Sequence, residues 1–359
     1  MSHSEAIRGM TPGEVIRSFS AVDLSSMRLL LSGESVIDWP RLEFANAEEV
    51  ERFIMLQEFD RRIPSHVAQM QLLMREALGY LTDVLRYRVP EEIKRATDPS
   101  TLITFASQHQ GLKRNRIYAC MMLKVMHILH HLLARELLFN APLSEAQLSS
   151  MLNRKVFDAI DKMRAAGIPV VEYTGGRKTR HSLVTKLLAK RETIASQIFD
   201  KTRFRIVVKS PEDLLSTLRF MSQHLFPFNY VIPGQSENAL LDLMAVADHD
   251  SLDKRGRRML LGNHARSPQA ANEFSGKTYR SINFVVDMPL RVQDVKLDPP
   301  LDPILGDIIF VLAEFQLLDA QTAERNEEGE NNHAKYKARQ EQRVRARLES
   351  GLKEPKKKA

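Results

Sequence analysis

A single cysteine in 359 residues has no intramolecular partner. No disulfide framework can support the fold, and the chain suits a reducing compartment. That residue, Cys120, sits in the apolar run from Tyr118 to Leu123 and is expected to be buried. The start of the chain has no basic segment leading into an apolar one, so no secretory signal is expected. An uninterrupted apolar stretch is also missing. The best candidate, Ile117 to Phe139, is broken by Lys124, His127, His130, His131, Arg135 and Glu136, too polar to be expected to span a bilayer. These absences predict a cytoplasmic protein with no membrane segment. No internal repeat is visible. What is present is ordinary for a globular chain, 43% hydrophobic and 27% charged residues, at a length that allows two domains.

The formal charge of +7 is unevenly spread. From Lys335 onward there are ten lysines and arginines against Glu341, Glu349 and Glu354. A basic tail of this kind attracts polyanions such as nucleotides or RNA; the alternative reading is a solvated terminus.

Residues 1–150 read as an all-helical domain. Apolar residues recur at helical spacing from Ala47 to Tyr87, interrupted at Pro64 and ended by Pro90. Ile117 to Leu138 is a second long helix, and Ser144 with Gln147 has the spacing of a capping box for another. After Pro169 short β-branched runs alternate with helices. Phe204 to Val208, Ser281 to Val286 and Ile308 to Leu317 read as strands. Ser210-Pro211 opens a helix ending near Leu225, and another follows from about Ala320. The polar connection from Gly234 to Gly276 is expected to hold a short helix around Ala239 to Ala247. The expected fold class is α+β, a mixed sheet flanked by helices over residues 151–345, with the helical domain before it and a basic, disordered tail over 346–359.

Three features carry chemistry. Glu314 and Gln316 alternate with apolar residues in the last strand, so both share one face with Leu312. A carboxylate within a buried strand is costly unless paired or metal-bound; the structural alternative is an edge strand with one wet face. Asp200 stands at the mouth of the strand that holds Arg205, and two carboxylates from different strands suit a magnesium ion against nucleotide phosphates. A lone Asp there is more often a turn or cap residue. Finally, Lys178, Ser182 and Lys186 are spaced four apart, as on one helix face, behind Gly175-Gly176-Arg177. Such a helix start suits phosphate, or forms a solvated basic face. His127 and His131 are placed for a shared metal but lack a third ligand, and packed histidines are expected.

In this order the pieces resemble the RelA/SpoT family of alarmone synthetases, whose members transfer pyrophosphate from ATP to the 3′-hydroxyl of GDP or GTP. Lys178, Ser182-Leu183 and Lys186 match the family's first helix motif, with Arg177 one residue too close. Asp200 and Arg205-Ile-Val match its Asp-x4-Arg-Ile-Val strand. Tyr279-Arg-Ser281-Ile282 matches its Tyr-x-Ser-Ile/Leu-His with Asn283 for the histidine. Glu314-Phe-Gln316-Leu317 matches its Glu-x-Gln strand. Glu327, Gly329, His333 and Tyr336-Lys337 match the helix after it. The resemblance covers residues 172–340. It implies a nucleotidyltransferase-like synthetase domain in which Asp200 and Glu314 hold magnesium and Glu314 helps activate the attacking hydroxyl. Arg177, Lys178, Ser182, Lys186 and Arg205 are implied to bind ATP. On the acceptor side it implies Tyr279 stacking on the base, with Ser281, Asn283, Gln316 and His333 around the nucleotide.

Several positions depart from the family. Leu318 replaces an arginine, Asn283 a histidine, Arg203 a small residue and Thr278 a glycine. Arg255, Arg257 and Arg258 in the long connection are candidates to replace the lost cation. The departures open two alternatives: a toxin-like transferase acting on the 3′ end of tRNA or on adenosine nucleotides, and a non-catalytic nucleotide or RNA sensor. The His-Asp hydrolase of the family's long members is not visible. Residues 1–150 are left as a regulatory, substrate-delivering or homo-oligomerising domain.

Overall fold

The computed structural model describes residues 12–39, 42–108, 111–190, 202–248, 250, 252–262, 279–292, 303–328 and 333–349. The first half contains α1 (Pro12–Arg17), α2 (Ala21–Ser32), α3 (Ala47–Leu56), α4 (Pro64–Gly79), α5 (Glu91–Lys94), α6 (Pro99–Ser107), α7 (Lys113–Asn140) and α8 (Glu145–Ala165). Then come β1 (Val170–Arg177), α9 (Arg180–Lys190), β2 (Thr202–Val208), α10 (Pro211–His224), β3 (Val231–Asn238), α11 (Leu243–Ala247) and α12 (Lys254–Leu261). The last elements are β4 (Ile282–Arg291), β5 (Ile308–Asp319), α13 (Ala320–Glu327) and α14 (His333–Glu349).

Local chemistry sets the helix ends. Pro64 occupies the first turn of α4, where its missing N–H costs nothing. At α8 the Ser144 hydroxyl accepts from the Gln147 N–H at 3.2 Å and the Gln147 side chain accepts from the Ser144 N–H at 2.9 Å. This is the capping box expected from the spacing. By length and composition α7 is apolar enough to cross a membrane; here it packs against α4, α6 and β5.

The sheet is mixed, in the order β1-β2-β5-β4-β3, with β2 and β5 parallel and the other pairs antiparallel. Its two edge strands, β1 and β3, fall outside the sequence expectation. β1 carries Gly175-Gly176, and β3 carries Pro233-Gly234 and a polar end, so neither shows an apolar alternation. Proline in a sheet is tolerated at an edge, where an N–H can be spared. Lys178 is a further correction. The chain is still extended through Arg177, so Lys178 precedes α9 rather than lying on its face with Ser182 and Lys186.

The two faces of the sheet differ sharply. Phe204, Ile206, Phe284, Phe315 and Leu317 are fully buried on one of them. There they join a core cluster with Leu214 and Leu218 of α10, Leu152 and Val156 of α8, and Leu24 and Leu30 of α2. The Phe315 ring lies 5.4 Å from Phe204 and 5.6 Å from Phe284, stacked on both. The opposite face carries Phe310, Leu312, Glu314, Gln316 and Leu318 along β5. α7 covers its first end, where the His131 ring stacks on Phe310 at 4.1 Å and His131 Nδ1 meets Asp287 Oδ2 at 3.2 Å. α13 covers the other end, where Leu318, Val207 and Ala323 form a small apolar cluster.

The basic run Lys254 to Arg258 belongs to α12 rather than to an open loop. Arg255 Nη2 reaches Glu43 at 2.9 Å and Arg257 Nη1 reaches Asp248 at 3.7 Å. Both arginines engage carboxylates, and Leu318 itself is wholly buried.

Candidate functional site

Register puts the polar residues of four strands side by side. Arg203 of β2 pairs with Glu314 of β5, and Arg205 with Gln316. Across the other edge of β5, Val285 pairs with Glu314 and Asn283 with Gln316. Asn283 pairs in turn with Glu237 of β3. Paired residues point to the same side of a sheet. Glu237, Asn283, Gln316, Glu314, Arg203 and Arg205 therefore share the face between α7 and α13.

Opposite deficits mark this face, which also holds Asn283 Oδ1 without a donor among the described residues. Glu314 Oε2 is buried without a hydrogen-bond donor among the described residues, and Arg205 Nε is buried without an acceptor. Among the described residues Glu314 pairs with Arg203, whose Nε lies 3.6 Å from Oε2, too long for a hydrogen bond. Arg205 is flanked by two carboxylates, Glu327 at 3.6 Å and Glu172 at 3.9 Å, again beyond hydrogen-bond length. Burial raises the Glu237 carboxyl above its usual range; a hydrogen bond with Asn283 opposes that, and the Glu314 charge adds to it.

The residues expected to surround an acceptor nucleotide meet in part. The Gln316 amide donates to the Tyr279 hydroxyl at 2.7 Å, and Gln316 itself is 2% exposed. Asn283 Nδ2 donates to the Ser281 hydroxyl at 2.7 Å. The backbone beside Tyr279 is clamped by Asn326 of α13, which accepts from the Arg280 N–H at 3.1 Å and donates to the Arg280 carbonyl at 2.6 Å.

The predicted ATP residues are less closely gathered. Arg177 ends β1 with its guanidinium on Glu145 at the start of α8. On α9, Ser182 and Lys186 stand one turn apart, and Thr179 accepts from the Ser182 N–H at 3.3 Å. Arg347 of α14 meets the carbonyls of Leu188 and Ala189 at the end of α9. The α9 and α14 helices lie against each other. Asp200 lies outside the described residues, as does the side chain of His333, whose backbone opens α14.

Glu237 escaped the sequence reading because Gln235-Ser236-Glu237-Asn238 reads as loop, and only the register of an edge strand brings it to the site. Arg203 was visible only as a departure. The α7 histidines form no metal centre among the described residues. The rings of His127 and His131 pack edge to face, and His127 Nδ1 is engaged by Asn229.

No family model and no curated protein matches the chain. Solved structures show a weak likeness. The small alarmone synthetase 1 of Bacillus subtilis bound to its product pppGpp is 15% identical with a TM-score of 0.30, covering 61% of this chain and 94% of that one. The small alarmone synthetase 2 of the same organism is 14% identical at 0.30, covering 55% and 84%. A GTP pyrophosphokinase family protein from Streptococcus pneumoniae is 14% identical at 0.27, covering 58% and 92%. At these TM-scores the likeness carries no weight, and the function has to be read from the residues of this chain.

Proposed function

We propose that the chain transfers pyrophosphate from ATP to the 3′-hydroxyl of a guanosine nucleotide, GDP or GTP, with magnesium. The observation that carries this reading is a pair of opposite deficits on one sheet face: among the described residues, a buried carboxylate oxygen has no hydrogen-bond donor and a buried guanidinium nitrogen has no acceptor. A cation and an anion answer both at once, and a metal-bound polyphosphate supplies the two together. The order of motifs along residues 172–340 supports the same reading.

The donor set fits magnesium, a hard cation that takes carboxylate oxygens and keeps several waters. Glu314 would hold it, with Asp200 as the second carboxylate. When bound, the metal neutralises charge on the phosphates. The protein's own share is positioning and charge. Arg205 turns from Glu327 and Glu172 to the donor phosphates, with Lys186, Lys178, Arg177 and Ser182 along the β1–α9 edge. Tyr279, held by Gln316, offers its ring to the acceptor base. Asn283 and Ser281 lie beside the Gln316 position, where the acceptor's sugar would sit. Phosphoryl-type transfer needs this kind of neutralisation and alignment more than a special nucleophile.

Incubation of the purified chain with labelled ATP, magnesium and each of GDP, GTP, ATP and tRNA tests the reading. A labelled guanosine product that disappears in Glu314→Ala supports it. Absence of any product, or product that persists in Glu314→Ala, refutes it.

Two features favour transfer to the 3′ end of tRNA as the second reading. Leu318 is fully buried against Val207 and Ala323, so this position offers no cation to a free nucleotide. The α9–α14 pair, with Lys186, Lys337, Arg339, Arg343 and Arg345, presents positive charge that suits a nucleic acid backbone. Label on tRNA rather than on the free guanosine nucleotides decides for it.

A further inference from the structure

Two segments of the helical half stand side by side on its surface. After α4 the chain makes one wider helical turn, Tyr80–Val84, in which the Leu85 N–H donates to the Tyr80 carbonyl at 3.0 Å. It reverses at Arg86, whose φ of 58° lies in the left-handed region where glycine is usual, and the Tyr87 N–H closes the turn on the Leu81 carbonyl at 2.9 Å. Six successive residues, Asp83 to Arg88, are exposed. The second segment, Gly111 to Arg114, leads into α7 and is also exposed throughout. Arg114 joins the two. Its Nη2 donates to the Arg88 carbonyl at 2.7 Å, and its guanidinium lies over the Tyr118 ring, which meets Tyr87 edge to face at 6.1 Å.

This surface combines two things that a protein surface facing water alone has no use for. The first is aliphatic: Leu112 is 67% exposed, Val84 63% and Leu85 46%, with the Tyr80 and Tyr87 rings beside them nearly half exposed. The second is charge. Segments 83–88 and 111–116 hold Arg86, Arg88, Lys113, Arg114 and Arg116 against Asp83 alone. None of these five cations forms an ion pair among the described residues, whereas Arg61 pairs with Glu51 and Asp98, and Lys94 with Glu91. The start of α7 adds to the excess. Leu112 occupies its N-cap and has no side-chain oxygen for the first N–H groups, and the first turn has no acid. Lys113, Arg114 and Arg116 therefore reinforce the positive end of the helix dipole instead of opposing it. That arrangement is unfavourable in the chain alone and becomes favourable when anions face it.

We infer that this surface docks the chain, from outside, on an anionic lipid bilayer. Val84, Leu85 and Leu112 enter the boundary of the acyl chains, Tyr80 and Tyr87 lie at the level of the headgroups, and the five cations meet lipid phosphates. Charge complementarity and the aliphatic tips together choose this occupant. A nucleic acid answers the cations and the rings but offers three exposed aliphatic side chains nothing apolar to enter. A folded protein partner needs a matching hollow for each tip, whereas a fluid bilayer yields to them all. The surface lies at the start of α7, whose later turns carry His131 onto Phe310 of β5, so docking leaves the polar face of the sheet open.

The test sediments the full chain with vesicles of phosphatidylcholine alone and of phosphatidylcholine mixed with phosphatidylglycerol. Binding to the mixed vesicles is expected to be at least about tenfold tighter. The cations from Lys335 onward also attract anionic vesicles, so the deciding variants leave the charge unchanged. Leu85→Ser combined with Leu112→Ser is expected to weaken binding to the mixed vesicles by at least about tenfold. In Leu85→Trp the new indole is expected to shift its emission to the blue when mixed vesicles are added, against a constant background from the buried Trp39, the one tryptophan of the natural chain. Failure to bind the mixed vesicles overturns the inference, and so does binding by the double variant as tight as that of the natural chain, which assigns it to the basic tail. An unshifted emission from Leu85→Trp overturns it independently of whether the double variant folds. An RNA oligonucleotide that binds the natural chain but not Arg86→Ser with Arg88→Ser, where vesicles do not bind, gives the surface to nucleic acid instead.

Discussion

The Gln316 side-chain amide donates to the Tyr279 hydroxyl at 2.7 Å, fixing an aromatic ring from a loop against the central strand of the sheet. Gln316 is almost wholly buried, so the bond has an asymmetric value. Removing only the hydroxyl leaves a buried amide without its acceptor. Tyr279→Phe is expected to lower the unfolding free energy by about 1–2 kcal/mol, whereas Tyr279→Phe combined with Gln316→Met is expected to recover most of that loss. Urea denaturation of the three variants measures it. On the proposed function, the single variant is also expected to raise the KM for the acceptor nucleotide more than it lowers kcat, because the ring remains but is no longer held.

Glu314 stands two strands from Glu237, whose carboxyl its charge helps to raise, and has one oxygen without a hydrogen-bond donor among the described residues. In Glu314→Gln the like charge is gone and, on the proposed function, a magnesium ligand is lost. Magnesium with a nucleotide is expected to raise the melting temperature of the natural chain and to leave that of Glu314→Gln unchanged, with transfer lost by at least about a thousandfold. A thermal melt with and without magnesium and nucleotide reads the first effect without any assay of product.

Glu237 has a folded pKa raised above 4.5, first by burial and then by the Glu314 charge. Just above pH 4.5 the folded chain therefore holds a proton that the unfolded chain has released. Stability contributed by this group falls as pH rises through that window. Glu237→Gln is expected to gain stability relative to the natural chain as pH rises above 4.5. Denaturation midpoints across pH 4 to 7 compare the two.

The α7 histidines act in the opposite direction. Burial lowers His127 and His130 to about 3, while both take up protons near 6.5 when unfolded. Their stabilisation is complete above 6.5 and is lost as pH falls toward 3. At pH 5.5 each costs about 1.4 kcal/mol relative to neutral pH. The urea midpoint of His130→Phe is expected to fall less between pH 7.5 and 5.5 than that of the natural chain.

Asp23 ties α2 to α10. It is 4% exposed and accepts from Arg219 Nε at 3.2 Å, Gln223 Nε2 at 2.7 Å and the Ser20 N–H at 3.0 Å. Asp23→Ala strands a guanidinium and a helix cap together and is expected to cost about 3 kcal/mol in denaturant unfolding.

Legibility from sequence depended on where a residue sits in the sheet. β5 alternates apolar and polar side chains because one face is core and the other is the site, so Glu314 and Gln316 could be placed on one face from spacing alone. β2 and β4 were visible as short β-branched runs. β1 and β3 are edges, and an edge with one covered side tolerates Gly175-Gly176 or Pro233-Gly234, which erase the period-two signal. Glu237 was lost with β3, although it stands two strands from Glu314. Lys178 was misplaced because spacing of four is blind to whether the helix has begun. The capping residues of α8 and α10 were legible because a cap is a local event, set by neighbours in sequence.

The strand order also bears on how the chain assembles. β5 is the last of the described strands to be synthesised, and it lies at the centre of the sheet. Until residue 319 is made, β1–β2 and β3–β4 exist only as separate pairs, each with an inner edge of unmet N–H and C=O groups. Joining them is a long-range event, slow by nature and exposed to wrong partners while it waits. Chains shortened before Ile308 are therefore expected to aggregate rather than to form a smaller stable core.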